Sequence, residues 1–154
     1  IPFLKKIKEK YDNQVIIKVI GDASYRNREL GIIGSPWEIE SEIRELSSFD
    51  IGIMPLSNSL WEMGKCGYKL IQYMACGLPV VASPVGVNKK IVKNGINGFL
   101  AQETHEWEQA LRKLLNDKNL RVQMGEKGRD LVKENYSLQQ QSIKFREIIR
   151  RELN

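Results

Sequence analysis

A chain of 154 residues that is 42% hydrophobic is long enough to bury the core of one globular domain. Its formal charge of +5 favours anionic partners such as sugar nucleotides and acidic lipid surfaces. The basic residues are interleaved with glutamates and form no run with aromatics, which argues against nucleic acid. No apolar run approaches the roughly 18–20 residues that cross a bilayer. A single histidine, with no paired cysteine or histidine spacing, excludes a zinc site.

In chain order, Phe3, Leu4, Ile7 and Tyr11 recur at helical spacing over residues 1–11, and the β-branched run 15–20, closed by Gly21-Asp22, predicts a strand. Residues 30–33 are a weaker strand candidate, ended by Gly34-Ser35-Pro36. The charged stretch 39–46 reads as a helix before a buried strand within 50–56. From Gly64 the pattern is a polar loop, then a helix, then a strand over 79–82. Lys65, Lys69, Gln72 and Cys76 follow the i, i+4, i+7, i+11 spacing of one helix face, while Leu70, Tyr73, Met74 and Gly77 face another side suited to packing. On such a helix Cys66 and Cys76 stand roughly 15 Å apart along the axis, too far for a disulfide, which suits a reducing compartment.

Residues 94–100 read as a tight turn carrying a short strand. Helices follow over 106–115 and 120–133, then a break at Tyr136-Ser137-Leu138. A last amphipathic helix over 139–153 has Ile143, Ile148 and Ile149 available to pack. His105 reads as a surface residue opening a helix, and Trp107 as core. The alternation of helix and strand predicts an α/β fold: a three-layer, Rossmann-like parallel sheet with helices on both faces. Sites in such sheets lie beyond the carboxyl ends of the strands, where the loop 55–67 falls. Lysines gathered at a helix start are disfavoured unless an anion neutralises them, which hints at phosphate; a solvated lysine face is the plain alternative.

Three motifs, Asp50-Ile51-Gly52-Ile53-Met54-Pro55-Leu56, the stretch from Lys69 to Ser83 and the Asn-Gly-Phe-Leu at 97–100, occur in an order and spacing that resembles one family. It is the donor-binding half of retaining glycosyltransferases with the GT-B fold, family 4, also called group 1. The resemblance implies that residues 1–154 are one nucleotide-sugar-binding domain, the carboxyl-terminal half of a GT-B fold. It also implies that the acceptor domain, the first strand of this domain and the family's Arg and Lys pair for the diphosphate lie outside the chain, so that the fragment alone is inactive.

The family's two glutamates, matched residue by residue, fall on Gly64 and Gln72, so neither carboxylate is present. Gln72 retains an amide able to bond ribose hydroxyls. A shift of the loop would bring Glu62 to the donor sugar. Lys65 and Lys69 add cations that would stabilise a leaving diphosphate. With Pro55, Gly67 and Leu70 these residues make up the expected donor site, and the catalytic residues are not assigned. Gly34, Ser35 and Trp37 fall in the family's nucleobase region, Trp37 having as its alternative a packing role at a helix start. Trp61 borders the sugar or covers the sheet end. Asn88-Lys89-Lys90 follows the turn Gly86-Val87 where the family more often has an acidic residue.

The resemblance implies transfer of a hexosyl or N-acetylhexosaminyl group from a UDP- or GDP-linked donor to a glycan or lipid-linked acceptor. The chain has no Asp-x-Asp motif, so no metal is expected. The contrasting reading is a non-catalytic nucleotide or anion-binding module, separable by donor hydrolysis or transfer in the intact protein. The expected location is cytoplasmic, with peripheral attachment at the inner membrane face compatible with either reading.

Overall fold

The computed structural model describes residues 2–152. Helix α1 (Pro2–Tyr11) buries Phe3, Leu4 and Ile7, three residues one turn apart on a single face. A 3₁₀ turn (Asp12–Gln14) leads into an extended segment and a two-stranded antiparallel hairpin, β1 (Arg26–Asn27) and β2 (Ile32–Ile33). Then come α2 (Glu42–Ser47), β3 (Gly52–Met54), α3 (Leu60–Met63), α4 (Tyr68–Ala75), β4 (Val80–Ala82), α5 (Asn88–Ile91), β5 (Gly98–Leu100), α6 (Thr104–Asn116), α7 (Lys118–Asn135) and α8 (Leu138–Glu152).

Strands β3, β4 and β5 form a parallel sheet in that order, with Gly52 opposite Val80 and Val80 opposite Gly98. The central strand is Val-Val-Ala and is buried throughout, as a parallel strand covered on both faces must be. Its side chains alternate between two cores. Val81 joins Phe3, Leu4, Ile7, Trp107, Leu111 and Leu114, under α1 and α6, where the Phe3 and Trp107 rings stack with centroids 4.4 Å apart. Val80 and Ala82 join Leu70, Met74, Ile91 and Val92 on the opposite face. Each fully buried Leu or Met contributes roughly 1.5–3 kcal/mol.

The predicted strand over 15–20 forms no ladder. Its sheet-like links are to Ser35, whose N–H donates to the Val19 carbonyl at 3.0 Å and whose carbonyl accepts from Gly21 at 2.9 Å. A β-branched run becomes a ladder strand only beside a partner about 4.8 Å away. Toward β3 there is instead an open cleft of about 370 Å³, lined by Leu4, Ile7, Val15, Ile17, Ile51 and Leu111 among others. The 30–33 candidate contracts to Ile32–Ile33, paired with a strand at Arg26–Asn27 that has no sequence periodicity.

Helix α8 touches α7 and leaves Ile143, Phe145, Ile148 and Ile149 exposed. Leu153, assigned by its sequence pattern to this helix, and Ile1 lie outside the described residues. Among the described residues no helix is long and apolar enough to cross a membrane.

Candidate functional site

Two loops stand at the carboxyl ends of adjacent strands: 55–67 after β3 and 83–87 after β4. The first leaves the sheet at the exposed Pro55 and makes the single turn of α3, whose N-cap hydroxyl, on Ser59, accepts from the Glu62 N–H at 3.3 Å. Gly64 ends that turn at φ −79°, a conformation open to any residue. The Glu62 carboxylate turns back onto its own loop, accepting from the Ser57 hydroxyl and lying 4.0 Å from the Lys65 ammonium. Trp61 is 83% exposed and covers no sheet end.

The expected helix face 65–69–72–76 is corrected by the position of the helix start. Helix α4 begins at Tyr68, because Gly67 takes φ +72° and so cannot continue a right-handed helix. A side chain at 67 would also meet Ile91 Cδ1 at 2.5 Å and Val87 Cγ1 at 3.0 Å. Lys65 and Cys66 therefore belong to the loop, Lys69 and Gln72 to the helix, and Cys76 to its end. Both cysteines are free.

No side chain caps α4, and no acidic residue lies in its first turn. The unpaired N–H groups there carry the partial positive charge of a helix start, to which the exposed Lys69 adds a full charge. Leu70 is wholly buried, and its N–H donates to the Gly67 carbonyl at 3.0 Å, so it offers this end of the helix nothing.

One turn further on, the Gln72 side-chain amide donates to Oε1 of Glu42 at 2.8 Å, and the Trp37 indole N–H donates to the same oxygen at 2.7 Å. The indole bond, then the amide bond, then the charge of Lys69 hold the Glu42 carboxyl below its ordinary range. Trp37 and Gln72, both expected site residues, are thus brought together through a residue that sequence reasoning missed. Glu42 sits in a run of charged residues and meets Gln72 across 30 positions, so no local signal marks it. Gly34 and Ser35 are tied elsewhere: the Gly34 N–H donates to Tyr25 at 2.9 Å, and Ser35 bonds Val19. Past the second loop, Asn88 is buried and donates to the Ser83 carbonyl at 3.1 Å, leaving Lys89 and Lys90 exposed. Among the described residues no three His, Cys, Asp or Glu side chains gather as a metal site would require.

A depressed carboxylate pKa contributes stability that is present above the ordinary value near 4.5 and is lost as pH falls through the lowered folded value. The Trp37 indole N–H resonance is therefore expected to move in acid, below the usual glutamate range, and to stop moving there in Glu42→Gln. A shift that persists in that variant would remove Glu42 as its cause.

The profile of the family described as glycosyl transferases group 1 matches residues 1–131. The chain belongs to the group 1 glycosyltransferases. A curated relative, an uncharacterised glycosyltransferase of Methanocaldococcus jannaschii, is 29% identical over 119 residues, covering 76% of this chain and 29% of the relative. The chain thus spans less than a third of that relative's length. Among solved structures, a glycosyltransferase from Rickettsia africae superposes with a TM-score of 0.78 at 20% identity, over 99% of this chain and 44% of that one. Anabaena HepE, solved in complex with UDP-glucose, gives 0.71 at 17% identity over 92% and 43%. At such identities the likeness is one of fold, and the fold of these neighbours is GT-B.

Proposed function

We propose that this domain binds the nucleotide-sugar donor of a retaining glycosyltransferase of family 4, moving a hexosyl or N-acetylhexosaminyl group from a UDP- or GDP-linked donor to a glycan or lipid-linked acceptor. The observation that carries the reading is the uncapped start of α4 at the carboxyl ends of β3 and β4, with Lys69 in its first turn. Helix N–H groups and a fixed cation stabilise a diphosphate as the glycosidic bond breaks and its electron pair passes to the phosphate oxygen. The acceptor hydroxyl then bonds to the sugar carbon on the same face, and its proton leaves to the departing phosphate. Cations supplied by the protein make the reaction independent of metal. That the relative with the UDP-glucose complex shares the fold supports the choice of donor class.

The acceptor site and the first strand of this domain belong to parts of the full-length protein outside residues 1–154. The open cleft between residues 15–18 and β3, with apolar side chains from α1 and α6 on its floor, supports a strand there. The exposed lysines and the dispersed positive charge support a cytoplasmic protein that works at the inner membrane face.

Calorimetric titration of the full-length protein with UDP, GDP, ADP and CMP, with and without magnesium, tests the donor reading. Binding of UDP or GDP without metal is the expected result. Binding that appears only with magnesium would remove the metal-independent mechanism, and no binding at all would remove the donor site.

A further inference from the structure

Trp37 and Gln72 converge on Glu42, and the way they do so leaves each group one role. Both donors bond Oε1, at 2.7 and 2.8 Å, while Oε2 accepts no hydrogen bond among the described residues. Gln72 is engaged by Glu42: one of its two amide N–H groups donates to the carboxylate, and its oxygen is enclosed without a partner among the described residues. That enclosed oxygen also fixes the amide's orientation, since turning it over would set oxygen against the carboxylate. A carboxylate pinned at one oxygen by two donors has lost its rotational freedom before any ligand arrives. Its other oxygen is a charged acceptor aimed in advance.

Such an acceptor selects groups that donate O–H and repels phosphate. The diphosphate therefore belongs one turn away, about 4.5 Å along the axis, at the start of α4 with Lys69. The Trp37 ring is 49% exposed, and its indole N–H donates to the same carboxylate oxygen as Gln72. An aromatic ring, a hydroxyl acceptor and an anion site are thus gathered around Glu42 and the start of α4, the three kinds of group that base, pentose and phosphate of a nucleoside diphosphate require.

We propose that Glu42 takes the ribose hydroxyls of the donor nucleotide, with Gln72 and Trp37 as the positioning residues that aim it. The inference rests on the nucleotide-sugar reading above. It moves hydroxyl recognition from α4, where Gln72 stands, to the start of α2, and it makes Glu42 the carboxylate of the site.

The test compares UDP and GDP with their 2′,3′-dideoxy analogues by calorimetry on the full-length protein and its Glu42→Gln, Glu42→Ala and Gln72→Leu variants, with folding checked by circular dichroism. The wild type is expected to prefer the ribose form by about 10- to 100-fold, the range of a charge-assisted hydrogen bond. Both Glu42 variants are expected to reduce that preference to about twofold, and Gln72→Leu to reduce it in part. A preference kept in full by both Glu42 variants would overturn the assignment and leave the nucleotide reading standing. Should one Glu42 variant fail to fold, the other decides. A wild type that binds neither diphosphate would overturn the nucleotide reading, and the Glu42 role with it.

Discussion

Replacing Lys69 by alanine in the full-length enzyme is expected to lower kcat/KM by about 10- to 100-fold. Lys69 is exposed in the first turn of α4, makes no salt bridge among the described residues, and adds its charge to a helix start that no side chain caps. Opposing that placement, the helix start itself disfavours a cation by about 0.3–1 kcal/mol. The arrangement becomes favourable once an anion lies there, and more so as negative charge grows on a leaving diphosphate. About 1.4–2.7 kcal/mol of transition-state stabilisation corresponds to the stated loss. Lys65 is the internal contrast, because the Glu62 carboxylate 4.0 Å away already answers its charge. Lys65→Ala should cost no more than about threefold. The measurement is kcat and KM with donor varied at saturating acceptor. Equal effects at the two positions would mean that general positive potential matters and the α4 start does not.

Gly67→Ala is expected to destabilise the domain by about 2–3 kcal/mol and to weaken diphosphate binding with it. Two costs combine. The backbone at 67 holds φ +72°, and a methyl there would press into Ile91 and Val87 at 2.5 and 3.0 Å. Gly95 separates these costs, since it holds φ +80° with nothing within 4 Å of the added carbon. Gly95→Ala should carry the conformational cost alone, about 1 kcal/mol. Native-state hydrogen exchange at the Val81 amide, in the middle of the buried strand, reads the opening free energy of this domain within the full-length protein. The same loss in both variants would show that the contact of the loop with α5 contributes nothing.

Much of this fold is legible in the chain because its signals are local. Val80-Val81-Ala82 could only be a strand covered on both sides, and Phe3, Leu4 and Ile7 mark their helix face by spacing alone. Where a pattern needs a partner, the reading fails. Residues 15–20 have the composition of a buried strand, yet a ladder belongs to two segments, and the side toward β3 is a cleft. Helix α4 starts three residues after Lys65, where the lysine spacing begins, because that spacing runs on through Gly67 while the left-handed backbone there, packed against Val87 and Ile91, interrupts the helix. The site divides in the same way. Lys69 and the loop after β3 follow from strand–loop–helix order, whereas Glu42 becomes visible only when α2 is seen against α4.

The contact between the two loops at the sheet's edge has a mechanical consequence. Gly86, at φ +50°, lies so close to the Met63 carbonyl that an added carbon would be 2.5 Å from its oxygen, and Gly67 sits as tightly on Val87 and Ile91. The loops after β3 and β4 are therefore wedged into each other at two places, backbone against backbone at one and backbone against side chain at the other. Neither can swing as a lid by itself. On the donor reading proposed above, an opening that admits donor or frees product would carry both loops as one jaw on the sheet. Turnover limited by that step would follow solvent viscosity and the motion of the whole domain, and would be indifferent to the stiffness of either loop.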